Sequence, residues 1–406
     1  MIPVLGIPYL LFVNIFFLVI LNPSKYIAMA KLVDDQFVRK TNDFALELYK
    51  QIISVDKKNV VISPFSISTC LSFAAMGAAG STAEELFSAM KYGTASEKEK
   101  VAESYGNVLA NLDSNKSLKT ANKMYIMEKY SVKQKFRDIA VEKFRSDAEH
   151  INFTENSQAA KTINSWVEQK TNDKIKDLIS PDVLDENTRM VLVNAIHFKG
   201  TWAHQFNPDV TRPMPFWISA TESVDVPMMN TKKHFKHGVF EDLGLAALEL
   251  TYSDSDVSML ILLPNERDGL AKLEDNMASI DIPNMLTKMY SQEVELFLPK
   301  FKIEFDIDLK DTLEKLGMGK MFTDQADFSD MLEQAEPLKV SNVVHKAFIE
   351  VNEEGAEAAA ATGMIAMAMC YIEPLSFAVD RPFYFALINK QHNLIIFNGH
   401  ILNPKY

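Results

Sequence analysis

The chain has 406 residues, 47% of them hydrophobic and 24% charged, with a formal net charge of -12 at pH 7. This composition excludes a disordered or fibrous polymer and allows a large core. The acidic balance makes the chain a poor general binder of nucleic acid or anionic membrane. Two cysteines, Cys70 and Cys370, give no disulfide framework. Length alone suggests two or three domains.

The stretch from Leu10 to Leu21 is strongly apolar, and Ala28-Met29-Ala30 has the small-x-small form of a cleavage site. Residues 1–30 therefore read as a secretory signal peptide. No Lys or Arg precedes the apolar core, and Asn14 interrupts it. The alternative is a signal anchor that stays attached, although the stretch is short for a spanning helix.

Phe37, Phe44, Ala45, Leu48 and Ile52 have helical spacing. Asn59 to Ile67 (NVVISPFSI) reads as a strand passing through Ser63-Pro64 into a second helix. Ser63 is its candidate cap, and Pro64 suits the first turn. That helix is apolar nearly all round as far as Gly77 and should be buried. It holds Cys70, a small buried hydrophobe on this reading. Gly80 to Leu86 carries a capping-box pattern, with Ser81 or Thr82 ahead of Glu84 and Glu85. Farther on, Glu97, Glu99 and Glu103 alternate with Lys98 and Lys100. These read as a solvated helix face, with no basic stripe for a polyanion such as heparin. Asn115-Lys-Ser117 and Asn152-Phe-Thr154 are glycosylation sequons if the chain is secreted.

Val191 to Gly200, Met259 to Pro264 and Val294 to Phe305 read as strands, and Asp308 to Leu316 as a helix. Ser341 to Val351 is a further strand, rich in β-branched residues. It runs into Glu353, Glu354 and Gly355, then Ala356, Glu357, Ala358, Ala359, Ala360, Ala361, Thr362 and Gly363. Propensity favours helix for the alanines, but so short a run is marginal alone. As a strand it would put Ala356, Ala358, Ala360 and Thr362 on one face and Glu357 on the other. One face could enter a crowded interior while the glutamate stayed in water. Leu394 to Asn403 reads as two short strands around Asn398-Gly399, a hairpin dipeptide.

The chain carries no HExxH, P-loop, G-x-S-x-G elbow or paired CxxC. The expectation is a protein that is not an enzyme and takes no cofactor. His234 and His237 are three apart, but no cysteine or acidic cluster joins them, so they read as surface histidines, not metal ligands. Ser63, Ser66, Asn194 and His345 are polar residues in or beside stretches that should be buried. Each must find a partner, or leaving it unpaired costs a few kcal/mol.

Several motifs occur in one order from about Phe37 to the C-terminus. They are Ser63-Pro-Phe-Ser-Ile67 with the glycine- and glutamate-bearing segment after it, and VLVNAIHFKG with Thr201-Trp202 and Phe206. Lys315-Leu-Gly-Met318, EVNEEGAEAAAATG and Phe377-Ala-Val-Asp-Arg-Pro-Phe-Tyr-Phe385 complete the set. Together they resemble the serpins, the serine protease inhibitor family, and EVNEEGAEAAAATG resembles the hinge of the inhibitory type. The resemblance implies an α+β fold of three β-sheets and about nine helices, formed as one domain over residues 31–406. Ile163 to Ile175 resembles the helix laid across its main sheet. An exposed reactive-centre loop would span about 353–379, with Glu353, Gly355 and the run to Thr362 as its hinge. Gly355 would supply the backbone freedom a hinge needs.

The resemblance also groups Ser63, Ser66, Asn194 and His345 as a shutter under the main sheet. Trp202, Lys300 and Glu353 would form a breach at its top. Counting fifteen positions from Gly355 puts the reactive bond at Met369–Cys370, and counting back from Pro382 favours Tyr371–Ile372. No Arg or Lys lies between Gly355 and Val379. The partner implied is a chymotrypsin-like or elastase-like serine protease, met by a secreted, extracellular monomer. The alternative is a non-inhibitory serpin that stores, carries or chaperones.

Overall fold

The computed structural model describes residues 34–54, 58–112, 117–253, 255–334, 336–354 and 375–405. In chain order it begins with α1 (Asp35–Ile53), β1 (Val60–Ile62), α2 (Pro64–Gly77), α3 (Gly80–Ala89) and α4 (Lys98–Leu112). Next come β2 (Leu118–Met127), α5 (Gln134–Phe144), β3 (Ala148–Ile151), α6 (Asn156–Lys170) and β4 (Met190–Phe198). Four strands follow: β5 (Arg212–Trp217), β6 (Ser223–Phe240), β7 (Leu245–Thr251) and β8 (Val257–Pro264). Then come α7 (Leu270–Asp275), α8 (Ile282–Lys288), β9 (Tyr290–Pro299), β10 (Phe301–Asp308) and α9 (Lys310–Lys315). The last four are β11 (Asn342–Val351), β12 (Leu375–Ala378), β13 (Phe383–Asn389) and β14 (Leu394–Ile401). The class is α+β, with nine α-helices among the described residues.

Two continuous sheets form. One has the order β10-β11-β4-β2-β3, and the other runs β1-β14-β13-β8-β7-β6-β9-β12 with β5 also on β6. Three sheets were expected. The length of β6 joins two of them, because its first residues pair with β5 and its last with β7, while β9 lies along the other edge. The run expected as strand from Val294 to Phe305 breaks at Lys300, between β9 and β10.

Helix α2 lies between the sheets. All fourteen of its residues are buried, and it touches β14 of one sheet and β2 and β4 of the other. Its start follows the sequence signal: Ser63 Oγ accepts from Ser66 N–H, with Pro64 in the first turn. Burial pushes the Cys70 thiol up to about 12, so it is an inert packing group. Helix α6 ends at Lys170, short of the expected Ile175, and packs Trp166 edge-on against Tyr125 of β2.

Three local expectations fail for tertiary reasons. The capping box at α3 is not made, since the cap position is Ala79 with no side-chain bond. Thr82 and Ser81 instead accept from Asp327 N–H and the Lys320 ammonium, and Glu84 and Glu85 accept from Ala95 N–H and Lys320 N–H. Lys98 does not lie on a solvated face. Its ammonium donates to the Ala78 carbonyl at the end of α2 and pairs with Asp330 at 2.6 Å. Asn398-Gly399 is no turn but the interior of β14, between β1 and β13. The turn falls at residues 390–393, with Asn393 at φ 54°. Glycine is required at 399 because a Cβ there would sit 2.0 Å from the Val60 carbonyl oxygen. Gly399→Ala should therefore cost about 3 kcal/mol through a clash that backbone must absorb. An unchanged urea midpoint would show that β1 can move aside.

Candidate functional site

The site is built on one contact. β4 and β11 lie side by side and parallel, from Asn342↔Val191 to Ile349↔Phe198. That register places His345 opposite Asn194, both buried. Beneath them is the start of α2. His345 Nε2 accepts from Ser63 N–H at 3.2 Å, so Nδ1 carries the proton and donates to Asn194 Oδ1. Asn194 Nδ2 donates to Ser66 Oγ at 2.6 Å and to Asn122 Oδ1. Ser66 Oγ donates to the same Asn122 oxygen at 3.0 Å. Ser63 Oγ donates to the Ile396 carbonyl of β14 at 2.6 Å. The network thus links β2, β4, β11, α2 and the second sheet. Burial holds His345 down to about 3, which keeps the ring neutral.

At the other end of β11 the chain is fastened as it leaves the sheet. Glu353 Oε2 meets Lys300 Nζ at 2.8 Å, and Oε1 accepts from Thr211 Oγ1 at 2.8 Å. The two charged side chains are only 9% and 22% exposed, so the pair is far from two solvated charges. Burial alone would raise the Glu353 carboxyl. The Lys300 ammonium, its own backbone amide and the Thr211 hydroxyl outweigh that and hold it below the usual range. Trp202 Nε1 donates to the Asn352 carbonyl at 2.9 Å, and Trp202 stacks on Tyr252 with centroids 4.3 Å apart. Phe206 N–H donates to the Glu353 carbonyl at 3.1 Å.

The serpin (serine protease inhibitor) family profile matches residues 39–404. Serine protease inhibitor 42Dd of Drosophila melanogaster is 42% identical over 363 residues, which cover 88% of this chain and 95% of that protein. Antichymotrypsin-2 of Bombyx mori is 35% identical and covers 88% and 96%. Among solved structures, one titled cleaved Serpin 42Da matches with a TM-score of 0.83 at 40% identity, over 92% of this chain and 99% of that one. This chain belongs to the serpin family.

Of the residues singled out in this serpin's sequence, Ser63, Ser66, Asn194 and His345 form one hydrogen-bonded cluster. Lys300, Glu353 and Trp202 gather at one end of β11. Asn122 was missed. Its signal lay in alternation along β2, where it shares a face with the buried Met124 and Ile126. His234 and His237 are not a pair of surface histidines. His237 is buried against Gln292 and Phe377, whereas His234 is exposed and, three residues away on a strand, faces the opposite side. Asn152 is half-buried, and its side-chain oxygen accepts from Thr154 Oγ1 at 2.6 Å. Asn115, residues 1–30, the hinge from Gly355 to Thr362 and the bond region Met369, Cys370, Tyr371 and Ile372 lie outside the described residues.

A neutral buried histidine makes stability pH-dependent. The unfolded chain takes up a proton near pH 6.5, and folded His345 does so only near 3. Stability is thus complete above about 6.5 and is lost as pH falls toward 3, by about 1.4 kcal/mol per unit. His197 adds to this, since burial, with Lys174 and Lys199 beside it, lowers it to about 4. His345→Asn should show a dependence between pH 6.5 and 4 shallower by one proton in denaturant melts. A slope equal to that of the unsubstituted chain would refute the neutral ring.

Proposed function

We propose that this serpin inhibits chymotrypsin-like or elastase-like serine proteases as a suicide substrate. One observation carries the reading: β11 and β4 are parallel neighbours, and the chain leaves β11 through an anchored turn into an alanine-rich run. A strand reversing there and entering between them would run antiparallel to both. It would replace one parallel pairing with two antiparallel ones, the more stable kind per residue. At a net ~1 kcal/mol for each ladder bond, a strand from Ala356 to about Met367 would gain on the order of 10 kcal/mol.

In the proposed reaction the protease serine attacks the Met369 carbonyl carbon. An ester bond to the enzyme forms, and the amide bond to Cys370 breaks, leaving Cys370 as a new amino terminus. The freed loop then inserts with the protease still attached to Met369. The translation distorts the catalytic geometry before water can hydrolyse the ester. Met369 offers an unbranched apolar anchor, and Tyr371–Ile372 would suit the same class of pocket. The lack of Arg or Lys from Gly355 to Val379 argues against trypsin-like targets, whose pocket requires a cation. In this reading Glu353 to Thr362 are the hinge, the His345 cluster is the shutter, and Trp202, Lys300 and Glu353 are the breach. The chain works without cofactor as a secreted monomer, after loss of residues 1–30, with glycans at Asn115 and Asn152. The alanine run disfavours a carrier or storage role, because bulky or charged hinge residues would be tolerated there.

Incubation with chymotrypsin, pancreatic elastase and trypsin tests this. The first two should give a covalent band that resists SDS, and mass spectrometry should show a released peptide beginning at Cys370 or Ile372. Ala356→Arg should be cleaved without forming the band, because insertion would bury its charge. Full inhibition by that variant would defeat the insertion mechanism.

A further inference from the structure

The register of the five-stranded sheet fixes which side chains share a row. Lys119 of β2 lies opposite His197 of β4, His197 opposite Phe348 of β11, and Phe348 opposite Glu304 of β10. Paired residues face one side, so these four form a row on the face away from α2. Two residues along, Lys302 of β10 lies opposite Glu350 of β11. Lys199 continues the ladder beyond β4, with its N–H on the Ser117 carbonyl. Lys174, in the connection from α6 to β4, lies close enough for its charge to act on His197. Two carboxylates stand among these four ammonium groups, and both have other partners. Glu304 pairs with Lys346 at 2.6 Å, and Glu350 accepts from Asn352 Nδ2 at 3.3 Å. Among the described residues none of Lys119, Lys174, Lys199 and Lys302 has a carboxylate in salt-bridge contact. The patch is therefore positive on a chain of formal charge -12. A second, independent mark lies inside it. The His197 ring is 4% exposed, and its Nδ1 has no hydrogen-bond partner among the described residues. Buried polar atoms are rarely left so, because the omission costs about 1–3 kcal/mol.

We propose that this patch binds a small multivalent oxyanion, a ligand with two or more phosphate or sulfate groups, held by Lys119, Lys199, Lys302 and His197. Lys119 and Lys199 stand on one side of the β4–β11 seam and Lys302 on the other. The backbones of Lys199 and Lys302 are two strand spacings apart, about 10 Å. A ligand with separated charged groups meets both sides at once, and an anion beside His197 supplies an acceptor for a ring N–H. Bound there, it ties the strands together from the outer face, as the His345 cluster does from the inner one. This opposes any parting of the seam, so the site does not depend on the inhibitory reading. Binding is also linked to protons. The groups facing His197 are Lys119 on β2, Lys174 and Lys199 beside β4, Glu350 on β11, and Lys302 and Glu304 on β10. Burial, then Lys174 and Lys199, hold the ring down to about 4. An anion offsets those lysines and favours the charged ring, so the ligand should bind more tightly as pH falls.

The test uses the full chain and inositol hexasulfate, whose charge does not change near neutral pH, at low ionic strength, where exposed lysines are least screened. Calorimetry should show saturable binding that Lys119→Gln combined with Lys199→Gln weakens about tenfold. Lys302→Gln alone, at an exposed position, should weaken it about threefold and serves if the double variant folds poorly. Lys232→Gln, on β6 of the other sheet, should leave it unchanged. Affinity should rise about threefold between about pH 7 and 5 in the unsubstituted chain and not in His197→Phe. With ligand bound, hydrogen exchange of the β4 and β11 amides should slow. Absence of saturable binding, or an equal loss in Lys232→Gln, would overturn the site. The same pH trend in His197→Phe would remove the histidine from it. Full affinity in Lys302→Gln, or exchange at the seam unchanged by ligand, would overturn the bridging of the two strands.

Discussion

The parallel contact of β4 with β11 is the one on which the rest of this serpin depends. Parallel pairing is the weaker arrangement, and here it lies in the middle of a five-stranded sheet whose other pairs are antiparallel, apart from β2 with β3. A seam of this kind needs support from outside the ladder. The support comes from hydrogen bonds that cross it, from His345 to Asn194 and from both strands to the start of α2. Removing any one partner leaves a buried donor or acceptor unpaired, at a cost of about 1–3 kcal/mol. The network therefore resists opening more strongly than an apolar contact of the same size.

Only a neutral imidazole does what His345 does. It donates to a strand neighbour through one nitrogen and accepts from a helix N–H through the other. A charged ring would have no acceptor for its second proton at Ser63 N–H, and burial makes charging costly in any case. Ser63 extends the coupling. It caps α2, presents its N–H to His345 and donates its hydroxyl to the Ile396 carbonyl in the other sheet. The seam is thereby tied to the helix between the sheets and, through that helix, to β14.

The strongest signals in the sequence were those that packing could only reinforce. The buried α2 was plain from an apolar run behind Ser63-Pro64, and β11 from its β-branched residues. The cluster of Ser63, Ser66, Asn194 and His345 needed more than pattern, because alternation says which face a residue takes but not which strand lies beside it. For that reason Asn122 was missed, although its face was correct for a partner of Asn194. The failures share a cause. Asn398-Gly399 reads as a turn because both residues tolerate positive φ, yet Gly399 is there for the close approach of β1. Ser81, Thr82, Glu84 and Glu85 read as a local cap and are drawn instead to backbone and side chains elsewhere. Lys98 reads as solvated and is taken up by the end of α2. In each case a distant group competes for a residue that local rules assign to its neighbours.

The outer face of the seam is closed by different means. Lys346, next to His345 and therefore on the opposite side of β11, pairs with Glu304 of β10 at 2.6 Å and donates to the Lys176 carbonyl at 2.8 Å. Lys176 lies in the connection from α6 to β4, so one buried ammonium fastens that connection to β11. Beside it the His197 and Phe348 rings meet across the seam with centroids 5.3 Å apart. A strand entering between β4 and β11 must therefore part a polar network below, an aromatic contact above and a tether that crosses the path. None of these belongs to the ladder. The barrier to opening is in this way set apart from the stability of the sheet. Under the proposed inhibitory mechanism, the seam would stay closed while the chain is intact and open to a more stable arrangement once the loop is cut.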